Sequence, residues 1–293
     1  MSSFARRKAW LSLVLLGFVF GSSLLHADDG LPASLDPLSG GGQIGVIGEA
    51  FPVPLRARVT DSAGQPLSGV AVNFNVDQCV SIDEASSPCP PQTAYPSFEG
   101  DSPMSVSVMT DADGQAIAPT LMTGQAEGPF QVYATVWDVR PGAGILGEAY
   151  FPLRQTLSLD DAAAITPAFT GAWYDPAQSG HGILVEVLPD DRLLAYWFTF
   201  TPDGSQQAWF GGVGTIVGGR QAIVYADRGQ GGQWIPAFDP SRFSLERWGT
   251  LTFTFSGCNR GHVDFFGYGP SSPWGSGSME LTRLTEPAGL ACE

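Results

Sequence analysis

Short runs of alternating apolar and polar residues, separated by turns rich in Asp and Gly, recur along most of this chain. In the first half, residues 55–59, 70–74 and 130–136 alternate with the period of two that buries one face of a strand. Between these runs, Asp61–Gly64 and Asp111–Gly114 offer local side-chain hydrogen bonds and positive φ angles. Short strands punctuated in this way predict a β-sandwich, and no helical period of useful length competes with that prediction.

The first 27 residues have the three parts of an export signal. Basic residues at positions 6 to 8 precede an apolar run from Trp10 to Phe20, and the small residue Ala27 ends the segment. This order predicts a secretory signal peptide that is cleaved after Ala27. A membrane anchor is the alternative, but the apolar run is far shorter than the roughly 20 residues that span a bilayer. We therefore expect an exported protein at the cell surface, in the periplasm or outside the cell, with no membrane-spanning segment after cleavage.

The chain is strongly acidic. It has 14 Lys and Arg against 29 Asp and Glu, and three of the basic residues lie in the predicted signal peptide. Cleavage would leave 11 basic against 29 acidic groups, a formal charge of −18. A surface of that sign repels phosphate backbones and anionic lipid, which argues against nucleic acid as a partner. Lys8 is the only lysine, so lysine chemistry is not expected in the mature protein.

The four cysteines form two pairs that are close in sequence, Cys79 with Cys89 and Cys258 with Cys292. In an exported chain, disulfides form and persist. Four cysteines can form two disulfides in three ways, and only the pairing of cysteines that are close in sequence fits two separate domains. A zinc site is the rival interpretation, but the C-x-x-C spacing that such sites favour is missing. We expect disulfides and no metal.

The segment 155–167 consists mostly of polar and small residues, and it separates two stretches that contain aromatic residues at frequent intervals. Six of the eight tryptophans follow it. The predicted organisation is a signal peptide (1–27), a linker (28–39), a β-sandwich (40–154), a second linker (155–167) and an aromatic-rich antiparallel β-domain (168–293).

Three motifs in the first half carry a family resemblance: Val59-x-Asp61-x-x-Gly64-x-Pro66-x-x-Gly69-Val70-x-Val72-x-Phe74, Thr110-Asp111-x-Asp113-Gly114-x-Ala116, and Gly124-x-x-x-Gly128-x-Phe130-x-Val132-x-Ala134. With them, residues 40–154 resemble the bacterial immunoglobulin-like domains of group 1, the modules of invasin and intimin. The resemblance implies an immunoglobulin-like sandwich that serves as a spacer or adhesive stalk. The chain departs from the family between Phe74 and Val108, where an extra loop carries Cys79 and Cys89. Asp111-x-Asp113-Gly114 lacks the other ligands of a calcium loop, so we expect a turn there.

The second half contains further strand-like runs joined by short turns at 189–192 and 201–204. The runs are 183–187, 193–200, 207–211, 221–225, 249–255, 261–266 and 277–284. Turns this short make neighbouring strands antiparallel, which predicts a meander. About eight strands with hardly any helix predict a small closed or nearly closed β-barrel, and an open, strongly curved sheet is the alternative. The predicted fold class of the whole chain is all-β.

The second half opens on Gly171-x-Trp173-Tyr174-Asp175-Pro176-x-x-Ser179-Gly180-x-Gly182, followed by the aromatic run 195–200. This phrase is similar to a motif of exported proteobacterial proteins that have no established activity. The resemblance implies a β-rich domain and assigns no catalytic residue. The opening Gly-x-Trp is also loosely similar to lipocalin- and avidin-type barrels, an analogy of shape only.

Residues with catalytic or metal-binding chemistry are sparse. Ser179, His181 and Asp175 lie within seven residues, but the members of a catalytic triad converge from different parts of a fold. The histidines that remain after cleavage, His181 and His262, lack the His-x-His and His-Glu-x-x-His spacings of metal sites. The glycines of 212–219 precede no helix, so turns and bulges explain them better than a nucleotide loop. We expect no catalytic residue, metal or cofactor.

Aromatic side chains in probable loops are the best functional lead, because small binding sites are aromatic-rich with a few polar anchors. Trp197 and Trp209 are expected to face inward. The candidate ligand-binding residues are Trp173, Tyr174, Asp175, His181, Trp234 and Trp274.

The leading hypothesis is an exported, non-catalytic protein whose immunoglobulin-like stalk presents a β-rich binding domain to a glycan or to a surface protein of the envelope or a host. A secreted hydrolase that uses two carboxylates among Asp175, Glu186 and Asp264 is the first alternative. A purely structural envelope protein is the second.

Overall fold

The computed structural model describes residues 30–77, 95–100, 104–138, 144–290 and 292. The predicted signal peptide and the Cys79 and Cys89 pair lie outside these residues. The described chain is built of strands and loops, with a few short 3-10 turns and no α-helix, so the all-β prediction is confirmed. None of its helical turns is long and apolar enough to cross a membrane.

The first half of the described chain forms ten strands. They are β1 (Ser34–Ser39), β2 (Ile44–Val46), β3 (Arg56–Thr60), β4 (Ala71–Asp77), β5 (Ser97–Phe98), β6 (Ser105–Met109), β7 (Gln115–Ile117), β8 (Leu121–Met122), β9 (Gly128–Trp137) and β10 (Ile145–Thr156).

Two sheets, of order β1-β3-β7 and β2-β10-β9-β4-β6, share one core, and β5 pairs separately with β8. Val59 contributes to that core from the smaller sheet, and Phe74, Val132 and Phe151 contribute from the larger one. The sandwich begins at Ser34 and ends at Thr156, so it reaches into both predicted linkers.

The two Asp-Gly turns have the same construction. The Oδ1 atom of Asp61 accepts hydrogen bonds from the backbone N–H groups two and four residues later, at 2.9 and 2.8 Å. Asp111 repeats the pattern, with both bonds at 2.9 Å. Gly64 and Gly114 follow with φ angles of 76° and 71°. The predicted turns are confirmed, because the carboxylate of each Asp binds backbone N–H groups of its own turn.

The second half forms eight strands. They are β11 (Gly171–Tyr174), β12 (Gly182–Leu188), β13 (Arg192–Phe200), β14 (Gln207–Val217), β15 (Gln221–Gln230), β16 (Ser244–Gly257), β17 (Arg260–Gly267) and β18 (Ser276–Arg283). Each strand is antiparallel to the next, and β18 pairs with β11 to close a barrel. The closed barrel that the sequence predicted is confirmed, and the open sheet is wrong. A disulfide between Cys258 and Cys292 ties the C-terminal segment to the β16–β17 turn, as predicted.

Large side chains fill the barrel. A small eight-stranded barrel has an interior that side chains can fill, and the buried side chains of this barrel form one hydrophobic cluster. Its fully buried aromatic residues are Trp173, Phe210, Trp248, Phe253 and Phe255.

The sandwich and the barrel are in direct contact. A glycine-rich segment, residues 40–44, lies against the outer wall of β15 and β16, and we call it the strap. Gln221 accepts a hydrogen bond from the N–H of Ile44 and donates one to its carbonyl, both at 2.9 Å. The Tyr225 hydroxyl accepts from the N–H of Gly41 at 2.9 Å, and Thr252 donates to the carbonyl of Gly42 at 2.6 Å. Residues 31–293 consequently form one compact unit.

Candidate functional site

The six candidate residues from the sequence do not come together in one site. Trp173 is fully buried in the barrel, where its Nε1 donates to the carbonyl of Phe169 at 3.1 Å. The guanidinium of Arg283 lies 5.6 Å from the centre of its ring system. Trp173 was a candidate ligand-binding residue, but its indole has no accessible surface and packs as part of the core.

Tyr174 is the last residue of β11, and Asp175 and His181 lie in the turn between β11 and β12. The Asp175 carboxylate accepts hydrogen bonds from the N–H of Ala177 and from Nε2 of Gln178, both at 2.8 Å. His181 Nδ1 is 2.6 Å from the hydroxyl of Thr199. Neither His181 nor Asp175 is bonded to Ser179, so this turn does not form a catalytic triad.

Trp234 and Trp274 lie in different loops. Trp234 is 86% exposed in the loop that joins β15 to β16. Trp274 is half-buried at the end of a short 3-10 turn, with its ring centre 5.4 Å from that of Phe210 and the Arg228 guanidinium 5.7 Å away. Trp274 thus closes one end of the barrel core, and Trp234 is free to contact a partner.

A continuous aromatic surface lies on the outer wall of β12, β13 and β14, where the sequence did not predict it. Trp209 was expected to face inward, but it is 52% exposed because its neighbours Ala208 and Phe210 occupy the inside. Trp197 was placed inside, and that is confirmed at 7% exposure. We call this surface the aromatic face, and it comprises Leu184, Tyr196, Phe198, Phe200, Trp209 and Val213.

Strand register makes the aromatic face continuous. Phe198 is directly opposite Trp209, and Leu184 is directly opposite Tyr196. The Tyr196 and Trp209 rings are 5.9 Å apart. Tyr196 leans over Gly211, since a Cβ on that glycine would lie 2.8 Å from the Tyr196 ring. His181 meets Phe200 edge-on at 5.5 Å, which places the motif turn at one border of the face.

A cluster of charges occupies the opposite side of the barrel, where the sandwich meets β17 and β18. His262 contacts Glu280 through Nδ1 at 2.8 Å and Asp264 through Nε2 at 3.3 Å. Arg154 of β10 donates to the same Asp264 oxygen at 3.1 Å. Hydrogen bonding to Asp264 and Glu280 raises the pKa of His262, although partial burial opposes the shift. This set is the charge cluster: Arg154, His262, Asp264 and Glu280.

Sequence reasoning singled out His262 and Asp264 but missed their partners. Glu280 becomes visible only when β17 and β18 are paired, since His262 and Glu280 are cross-strand neighbours. Arg154 comes from the sandwich, so no local pattern could have found it.

The three acids proposed for hydrolysis are not brought together. Asp175 is occupied in its turn, Glu186 is exposed on β12, and Asp264 projects from β17. Three strand spacings separate β12 from β17, which is roughly 14 Å along the wall. Among the described residues, no three His, Cys, Asp or Glu side chains are arranged to hold a metal ion.

Neither a protein-family model nor a curated protein matches the chain. The resemblance of residues 40–154 to immunoglobulin-like domains of group 1 therefore stays a prediction from the sequence, as does the similarity of the 171–182 motif to exported proteobacterial proteins.

Proposed function

We propose that this chain is an exported, non-catalytic binding protein whose barrel docks on another protein of the envelope or of a host through the aromatic face. The observation that carries the proposal is the exposure of large apolar side chains at adjacent positions on three strands. Phe198, Trp209 and Leu184 are 46%, 52% and 51% exposed. Continuous apolar surface of this kind is typical of interaction sites.

The filled interior supports an external site. Lipocalin-like binding would require a cavity inside the barrel, but aromatic rings occupy that space. The described residues of the sandwich also leave the aromatic face uncovered. They contact β15 to β18, whereas β13 lies four strands from β17 in the closed order.

The composition of the face favours a protein over a glycan. Aliphatic Leu184 and Val213 lie among the aromatic rings, and charged Glu186 lies at the edge. A protein interface has an apolar, aromatic centre depleted in charge and a polar rim. A sugar needs hydrogen-bonding groups between the rings it stacks on.

The test uses a photo-cross-linking amino acid in place of Phe198, introduced into the exported chain in its producing cells. We expect one discrete cross-linked protein, which is identified, purified and titrated against the wild-type chain. Because interface energy concentrates in central aromatic residues, Trp209→Ser is expected to raise its dissociation constant about tenfold or more.

Phe243→Ser is the matched control, because Phe243 is 40% exposed on the barrel but lies outside the aromatic face. It should leave the affinity unchanged. A cross-link only to a second copy of the chain, or binding that Trp209→Ser does not weaken, would contradict the proposal. If the chain binds a glycan and this binding depends on Trp209, the ligand of the aromatic face is a sugar and the proposed protein partner is wrong.

A further inference from the structure

A cleft with two neighbouring chambers separates part of the sandwich from the outer wall of the barrel. The chambers have volumes of about 230 and 260 Å³. Ile44, Arg154 and Asp264 line both of them. Each chamber is therefore large enough to hold several water molecules or one small organic ligand.

The first chamber has a largely apolar wall. Pro129 and Pro152 contribute from the sandwich, and Phe266 contributes from β17. The hydroxyl of Ser278 lies at its border. Such a wall can pack against the C–H face of a ring while hydroxyl groups on the ring edge point elsewhere.

The second chamber has a polar wall that includes His262, Glu280 and Asp161. Within it, donors and acceptors lie side by side. The Arg154 guanidinium carries five N–H donors and uses Nη2 on Asp264 Oδ1. The other Asp264 oxygen, Oδ2, has no hydrogen-bond partner in the part of the chain that the structure describes. A donor and an acceptor therefore remain available on neighbouring groups.

We propose that this cleft binds an uncharged saccharide, with its C–H face on the apolar wall and its hydroxyl groups on Arg154 and Asp264. A sugar hydroxyl both donates and accepts, so adjacent hydroxyls match an adjacent carboxylate and guanidinium. This site is separate from the aromatic face, and it does not depend on the proposed protein partner.

The balance of charge selects against anionic ligands. Asp161, Asp264 and Glu280 outnumber Arg154 and His262, so they repel an anion that approaches Arg154. An uncharged sugar avoids that penalty and can still accept charge-assisted hydrogen bonds.

The experiment is calorimetric titration of the mature chain with glucose, galactose, mannose, N-acetylglucosamine, cellobiose and maltose at millimolar concentrations. Glucuronate, the anionic counterpart of glucose, is the charged comparison. We expect saturable binding of at least one uncharged sugar and weaker binding of its charged counterpart. Arg154→Gln should weaken binding about tenfold or more, because it removes a charged hydrogen-bond donor.

Ser278→Trp tests the site without altering a charge. Ser278 is exposed on β18 next to Asp264, so a large side chain there fills the first chamber and should abolish binding. Ser244→Trp, at an exposed position of β16 outside the cleft, is the control and should bind normally. Absence of saturable binding for every uncharged sugar would overturn the proposal. So would binding that survives Ser278→Trp, or binding that depends on Trp209 instead.

Discussion

At the scale of single residues, the Gly-x-Trp-Tyr-Asp-Pro motif is explained by folding. A Cβ on Gly171 would lie 2.2 Å from the carbonyl oxygen of Thr285, so only glycine fits where β11 begins. Trp173 fills the barrel, and Asp175 caps the short 3-10 turn that follows. Gly180 has a φ of 108° beside the ring of Phe200. These residues build the barrel and the border of the aromatic face.

Two tryptophans on the same barrel should respond differently to truncation. Trp173→Ala removes a fully buried indole, and such core substitutions cost about 3–5 kcal/mol of unfolding free energy. Trp209→Ala removes a side chain that is 52% exposed and should cost less than about 1 kcal/mol. Denaturant unfolding of both variants measures the difference. Equal losses would contradict the assignment of Trp173 to the core and Trp209 to the surface.

At the scale of elements, the pairing of β17 with β18 creates a pH-dependent contact. Asp264 and Glu280 raise the pKa of His262 above its ordinary value of 6.5, and Arg154 shares Asp264. Because the pKa is higher in the folded protein, this stabilisation is fully present below the unfolded pKa. It is lost as pH rises through the folded pKa.

We therefore expect the contribution of His262 to the unfolding free energy to decrease between about pH 6 and pH 8. His262→Gln should flatten that part of the stability profile. His181→Gln is the matched control and should keep the slope, because it leaves the contacts of His262 with Asp264 and Glu280 in place. Denaturant unfolding over a pH series provides the measurement. An unchanged slope in His262→Gln would show that the contact does not contribute to stability.

The strands themselves were the most predictable elements. All seven strand-like runs of the second half lie within or largely overlap β12 to β18. Their alternation and short turns are local properties, and they specify an antiparallel meander without knowledge of distant contacts. The orientation of β14 was harder to predict, because the glycines at 211, 212 and 214 carry no side chain to mark a face.

At the scale of the whole molecule, the strap joins two halves that the sequence had separated by a linker. Side chains that point outward from the barrel are buried under it, and Gln221, Thr250 and Thr252 are 3% exposed or less. A surface of polar residues with satisfied hydrogen bonds makes a stable contact without a long apolar run. The contact therefore leaves no hydrophobic pattern in the sequence.

Gly42→Ala tests the strap. Gly42 has a φ of 82°, and a Cβ there would lie 2.9 Å from Thr252 Oγ1 and 3.1 Å from Ile223 Cγ2. Gly48 has a φ of 93° and no atom within 4 Å of its Cβ position, so Gly48→Ala reports backbone strain alone. We expect Gly42→Ala to cost about 1–3 kcal/mol more than Gly48→Ala, from crowding against the barrel. Chemical denaturation measures the unfolding free energy of both variants. Equal losses would mean that the strap shifts to accommodate the added methyl group at no cost in stability.

The sequence by itself determined the all-β class, the Asp-Gly turns and the antiparallel meander, and it favoured closure of the barrel and the local disulfide between Cys258 and Cys292. All of these follow from periodicity, turn chemistry and spacing along the chain. Only the tertiary structure decided that Trp173 is core and Trp209 is surface, that Glu280 and Arg154 join His262 and Asp264, and that the strap seals the halves together. The physical reason is that alternation has two possible phases and carries no information about which distant strand or loop covers the outer face.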